Sequence, residues 1–279
     1  MTELNLLGID FEEWYHPELL QPHLRDNNNK PQIINGIDKI LDWLHKNETF
    51  ATFFVVGEIL QTRPEILDKI VENGHEIAFH TMHHKRLDST TRDDFEKEVQ
   101  EFARITKNRS KGFRAPTFSL NHRTNWALDV LDENNYLYDS SIVPAKTRLY
   151  GIPNAQTKPY KISSHKIDQN DPNARMSEFP LMITKFFGKK IPAGGGFYLR
   201  FLPLRSIENA IKQYELEDKP AVFYIHSWEL TPEHMPRIAL PPVDKFITYY
   251  NLDKAMSKMD NLIKKFKFTS FEKYINMMD

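Results

Sequence analysis

Glu76-Ile77-Ala78-Phe79-His80-Thr81-Met82-His83-His84 runs from an apolar stretch straight into a cluster of imidazoles. Residues 76–79 have the length and content of a buried strand. His80 and His84 follow where such a strand meets solvent. Neutral imidazole is the commonest metal ligand, and an i, i+4 pair on one helical turn aims two nitrogens at one point. A carboxylate would complete the site.

Three further segments deliver a polar group at the end of an apolar run. Leu6-Leu7-Gly8-Ile9-Asp10-Phe11-Glu12-Glu13 ends in acids. Gly112-Phe113-Arg114-Ala115-Pro116 presents an arginine, and Ala221-Val222-Phe223-Tyr224-Ile225-His226 a histidine. Singly, Arg114 reads as well as a surface ion-pair partner and His226 as a satisfied core histidine. Together they would converge if the four strands were parallel neighbours in one barrel, because active sites gather at the carboxyl ends of barrel strands.

The intervening sequence supports parallel pairing. Helical spacing over 32–46 is followed by a strand at 51–56. A helix opened by Pro64 and closed before Gly74 is followed by the strand at 75–79. A helix over about 92–107, acidic early and basic late, leads to Gly112. The expectation is an α/β chain. Residues 143–175 lack periodicity and are rich in Pro, Asn, Lys and Ser, which predicts an insertion on the barrel rim. Asn27-Asn28-Asn29 reads as an exposed loop tip. A helix near 204–214 and a strand at 221–225 precede a mostly helical tail over 244–278, expected to close the barrel.

With 279 residues, 40% of them hydrophobic, the chain can bury one large core. Lys and Arg number 37 against 38 Asp and Glu, a formal charge of −1, so no overall field favours nucleic acid or anionic lipid. The absence of cysteine leaves His and carboxylate as metal ligands. The residues from Met1 to Leu6 lack a secretory pattern, and no run of about 18 apolar residues occurs, so a cytoplasmic location is expected.

The ordered set Asp10-Phe11-Glu12-Glu13, His80-Thr81-Met82-His83-His84, Arg114-Ala115-Pro116-Thr117-Phe118 and Phe223-Tyr224-Ile225-His226 resembles the motifs of NodB-type polysaccharide deacetylases, carbohydrate esterase family four. The stretch from Ile191 through Leu230 resembles the added region of a subgroup associated with exosortase-type exopolysaccharide loci. The resemblance implies a distorted (β/α) barrel of about seven strands, a single domain with a C-terminal helical extension over about 191–279 packed on it. It implies one divalent ion, with zinc the default, and the His-x-x-x-His spacing selects His80 and His84 over His83 as ligands. Asp10 matches the family's catalytic base, which leaves Glu12 or Glu13 as third ligand. Glu12 is favoured, because residues two apart share a face of an extended segment. Family members often carry adjacent aspartates here, a departure that bears on this ligand.

In the resembled mechanism Arg114 orients Asp10, and His226 protonates the departing amine. A nearby carboxylate would keep His226 charged, with Asp139 as candidate and a turn cap in Asp139-Ser140-Ser141 as its other reading; Glu229 is a further acid nearby. Trp228, Tyr198, Trp14 and Tyr15 are candidates to stack on a sugar, Trp228 and Tyr198 foremost. Gly194-Gly195-Gly196 would let backbone approach a ligand. The expected substrate is an N-acetylated saccharide, free or linked to lipid or nucleotide. A deformylase or other small-amide hydrolase, or a sugar-binding barrel without turnover, are the alternatives on this scaffold.

Overall fold

The apolar runs fold into strands that lie side by side. β1 (Leu4–Phe11), β2 (Thr52–Val55), β3 (Glu76–Phe79), β4 (Gly112–Phe113) and β5 (Tyr138–Asp139) pair consecutively and in parallel. β6 (Tyr160–Lys161) runs antiparallel to β7 (Ser177–Glu178), which is parallel to β5. β8 (Ile183–Phe186) and β9 (Lys189–Pro192) form a separate hairpin, while β10 (Val222–His226) and β11 (Lys267–Thr269) both lie parallel to β1. The computed structural model describes residues 4–24 and 29–278. Met1, Thr2 and Glu3, and Asn27 and Asn28 of the expected loop tip, lie outside these.

The sheet order is β10-β1-β2-β3-β4-β5-β7-β6, with β11 beside β1, so nine strands share one mostly parallel, curled sheet where about seven were expected. β1, the first in sequence, lies between β10 and β2 and is buried on both faces: Leu6, Leu7, Ile9 and Phe11 are fully covered. That accounts for its continuous apolar run, since parallel strands wrapped by helices need no polar face. Helices α1 (Ile37–Lys46), α2 (Gly57–Thr62), α3 (Glu65–Glu72), α4 (Arg92–Ile105) and α5 (Trp126–Glu133) lie between the strands in sequence. Their buried residues, such as Ile40 and Leu44 on α1 and Phe95, Val99 and Phe102 on α4, join one core with the strands.

Between β7 and β10 the wall is completed by irregular backbone rather than by a regular ladder. Met182 N donates to Val222 O (3.1 Å) and Tyr224 N donates to Gly194 O (2.7 Å). A Cβ on Gly195, whose φ is +132°, would lie 1.7 Å from Tyr224 O. The glycine triplet, expected to admit a ligand, instead admits the neighbouring strand.

Residues 191–279 contribute β10 and β11 to the sheet itself. They also supply α6 (Gly196–Phe201), α7 (Leu204–Leu216), α8 (Ser227–Leu230), α9 (Pro242–Tyr249), α10 (Ala255–Ile263) and α11 (Phe271–Met278). The tail is thus helical except for β11, three residues whose place is set by pairing with Leu4–Leu6. The 143–175 segment is mostly irregular, yet Val143, Ile152, Tyr160 and Ile167 anchor it in the core. No helix among the described residues is long and apolar enough to cross a membrane.

Candidate active site

Parallel strands bring their carboxyl ends to one place, and β1, β3 and β10 deliver their polar residues into the same pocket. Asp10, Glu12, His80, His84, His226 and Trp228 all border it. Arg114 lies beneath, fully buried.

Ligand atoms of Glu12, His80 and His84 lie within 4.8 Å of one another. The histidines do not sit on a helical turn as expected. Residues 80–84 form an irregular loop with Thr81 (φ 58°) and His84 (φ 52°) in the left-handed region. The loop is held by the start of α2, where Gly57 N and Glu58 N donate to Thr81 O and Met82 O at 3.0 and 2.9 Å, and by Met82 N donating to Glu98 Oε2 at 2.8 Å. Holding non-glycine residues at positive φ costs about 1–3 kcal/mol each, so the surroundings must over-determine the loop.

The donor set fits a divalent ion. His80 Nδ1 donates to Arg114 O at 2.6 Å, leaving Nε2 free with its lone pair. Burial, with His84 nearby, pulls its pKa down to about 4 against the pull of Asp10 and Glu12, so the ring is neutral and competent as a ligand. Burial raises the Glu12 carboxyl, but His84, His226 and His80 outweigh it and hold the group well below its ordinary value. Glu12 Oε2 is buried with no donor aligned on it, although His84 Nε2 is only 2.6 Å away. Close contact without donor geometry suits two groups that share a cation. Trp228 Nε1 donates to Glu12 Oε1 at 2.9 Å and Ser227 Oγ to Glu12 O at 2.7 Å, fixing that side chain from β10's end.

Glu13 points elsewhere. Its carboxylate accepts from Gln32 N (2.8 Å) and Ile33 N (3.1 Å), capping the turn before α1. His83 is half exposed and bonds Glu58 at 2.8 Å.

Asp10 Oδ1 accepts from Arg114 Nη1 at 2.7 Å. The guanidinium is held by Ser140 O (3.0 Å) and Ser140 Oγ (2.9 Å) and lies 4.0 Å over the Phe54 ring. Gly8 makes room for it, since a Cβ there would fall 2.7 Å from Nη1.

His226 and Asp10 are register partners on adjacent strands. The carboxylate behind His226 is Glu229, not Asp139: His226 Nδ1 bonds Glu229 Oε2 at 2.6 Å. Burial lowers the imidazole pKa, but Glu229, aided by Glu12 and Asp10, raises it to about 9. Glu229 is in turn gripped by Arg200 Nε at 2.6 Å. Burial raises its carboxyl, and Arg200 with His226 pulls it down to about 2. Arg200 spends its remaining donors on the carbonyls of Ile247, Thr248 and Tyr250. Asp139 instead accepts from Ser141 N (3.1 Å) and Ser141 Oγ (2.6 Å), the turn-cap reading, and shares burial with Glu178, each pushed upward. The reason is distance along the chain. Glu229 is three residues from His226 on the same turn, whereas Asp139 belongs to β5, four sheet positions away from β1.

Trp228 and Tyr198 line the pocket; Trp14 and Tyr15 do not. Trp228 also stacks on His226 at 4.7 Å. Thr147, Arg148, Leu149 and Tyr150 of the rim insertion line the same pocket. Arg200 and His16 carried no expectation. His16 stacks on His84 at 5.6 Å and bonds Glu58 at 2.9 Å. Neither stands beside an apolar run that ends in a site, so no local pattern marked them.

The profile "Polysaccharide deacetylase" matches residues 32–136, and "Domain of unknown function (DUF3473)" matches 140–276. A chitooligosaccharide deacetylase of Sinorhizobium fredii is 37% identical over 84 residues, 30% of this chain and 37% of that protein. A peptidoglycan-N-acetylmuramic acid deacetylase of Bacillus subtilis is 34% identical over 61 residues, 22% of this chain and 23% of its own length. The match therefore spans less than half of either relative. A solved structure from Mycobacterium smegmatis, provisionally assigned as a polysaccharide deacetylase, superposes with a TM-score of 0.56 at 17% identity over 98% of this chain and 90% of that one. A 4-alpha-glucanotransferase from Thermococcus litoralis gives 0.57 at 14% identity over 98% and 40%. Likeness at such identity shows the fold. Two differently named activities on it leave the chemistry to the side chains.

Proposed function

We propose that the chain, whose residues 32–136 match the polysaccharide deacetylase profile, is a metal-dependent hydrolase of that family that removes the N-acetyl group from an N-acetylated sugar in a glycan or glycan precursor. The carrying observation is the meeting, in one pocket, of a three-ligand cluster with a buried Asp10–Arg114 pair and a His226–Glu229 pair.

Glu12, His80 and His84 would hold a divalent ion, zinc by the chemistry of these donors, and when bound it would contribute polarisation of the acyl carbonyl and a lowered pKa for the attacking water. Asp10 accepts the proton that water gives up, with Arg114 fixing the carboxylate's orientation. Water oxygen joins the acyl carbon, the carbon–nitrogen bond breaks, and His226 delivers a proton to the departing nitrogen. Acetate and an amino sugar result. Trp228 and Tyr198 are assigned to substrate contact because both border the pocket. His226, Glu229, Arg200, Tyr198 and Trp228 all lie in the second matched region, which ties that region to an exopolysaccharide-type substrate in this reading.

A lipid- or nucleotide-linked saccharide and a cytoplasmic site of action are part of the same proposal. Cell fractionation tests the location. Acetate release from N-acetylated sugars, free, nucleotide-linked and lipid-linked, tests the reaction, with loss on chelation and recovery on adding metal expected. Formate release from N-formyl sugars alone would favour the deformylase reading. Saccharide binding with no acyl release from metal-loaded protein would leave a sugar-binding barrel.

A further inference from the structure

The β8–β9 hairpin stands apart from the main sheet, and its residues are poor choices for a hairpin. Its two-residue turn is Phe187-Gly188, with φ of 48° and 77°. A turn with both central residues at positive φ favours Asn-Gly, and a bulky aromatic at the first position is strained there. Phe187 is nevertheless 92% exposed, and Phe186 beside it is 42% exposed, the rings meeting edge to face at 4.6 Å. Neither the turn nor the core gains from them.

The flanking charges are equally costly. Lys185 is paired across the hairpin with Lys190, and Phe186 with Lys189. Like charges directly opposite destabilise a strand pair. Lys190 Nζ donates to Pro153 O at 3.0 Å, and none of the three lysines makes an ion pair among the described residues. From Phe179 to Ile207 the chain contains no Asp or Glu. A net charge of −1 therefore hides a local cationic segment tipped with exposed aromatics.

We propose that this hairpin docks the protein on an anionic lipid surface, Phe186 and Phe187 entering the headgroup region and Lys185, Lys189 and Lys190 meeting lipid phosphates. Charge complementarity selects this occupant over a neutral apolar partner. An anionic surface relieves the Lys185–Lys190 repulsion, and aromatic rings are at home at a membrane interface. The inference stands independently of the deacetylase reading.

The test is co-sedimentation of the full chain with phosphatidylcholine vesicles, with and without phosphatidylglycerol. Binding is expected only with the anionic lipid and should be lost in high salt. Phe187→Asn should stiffen the turn yet weaken binding by roughly tenfold. Replacing the three lysines by glutamine should weaken it by about fivefold per residue. Phe187→Asn separates docking from folding, because it favours the hairpin while removing the ring. Absent binding to anionic vesicles at low salt, or binding indifferent to both variants, would overturn the proposal. So would a dimer that Phe187→Asn converts to monomer, which would make the hairpin an interface between copies.

Discussion

Two buried ion pairs flank Glu12, and they are built differently. On one side Asp10 meets Arg114 across four parallel strands, and the arginine's other donors go to Ser140. On the other, His226 meets Glu229 within one helical turn, and the pair is backed by Arg200 from α6. In each an arginine is sealed in the core, 0% exposed for Arg114 and 2% for Arg200. The difference teaches that one device, a functional group held by a buried ion pair, can be assembled from aligned strand ends or from a local turn with a distant clamp. A carboxylate without such a clamp behaves otherwise: burial raises Glu76, which accepts from Thr52, Tyr138 and Glu272 N and has no arginine, to about 7.

The sharpest break would come at the reacting groups. Asp10→Asn should retain metal yet lose about 10²- to 10⁴-fold in kcat/KM, whereas Glu12→Gln should lose metal. Elemental analysis beside kinetics checks this, and reversed behaviour would exchange the roles of the two acids. Next in size is the cost of unpairing the clamps. Arg114→Met should lower stability in urea by about 3–5 kcal/mol, because it leaves the buried Asp10 carboxylate without its partner cation, and Arg200→Met by less, because Glu229 keeps His226. If Arg200→Met cost as much as Arg114→Met, His226 would not be serving as the second cation of Glu229.

The clampless Glu76 sharpens the contrast through pH. Its folded pKa of about 7 exceeds the ordinary 4.5, so the fold keeps a proton that the unfolded chain releases. Its contribution is fully present below about pH 4.5 and is lost as pH rises toward 7, by about 3 kcal/mol in all. His75, which burial lowers to about 4, gives the opposite slope between pH 4 and 6.5. The difference between wild type and Glu76→Gln isolates the carboxyl: the variant should lack the fall. A parallel pair of stability curves would show that Glu76 ionises in the fold without cost.

Smallest is the electrostatic support behind the acid. Glu229→Gln keeps the shape but removes the charge facing His226, and roughly tenfold lower kcat on an N-acetyl sugar is expected. An activated ester whose leaving group departs as a stable anion should be nearly unaffected. Equal loss on both substrates would make Glu229 a support of the fold alone.

By itself the sequence determined the alternation of strands and helices, because hydrophobic periodicity is written locally. It also marked Asp10, His80, Arg114 and His226, because each stands where a continuous apolar run stops, and parallel strands must bring such ends together. Only the tertiary structure decided among chemically equivalent neighbours. Glu12 turns toward the histidines while Glu13 caps a turn, and Glu229 rather than Asp139 meets His226. Arg200 reaches Glu229 from 29 residues away, and β11 pairs with β1 from the far end of the chain. The glycine triplet serves strand contact rather than ligand access. His226 and Glu229 stand only three residues apart, but which acid faces the imidazole, like the other outcomes, depends on which groups compaction places within hydrogen-bond reach, and no short window of sequence contains both partners of the long-range contacts.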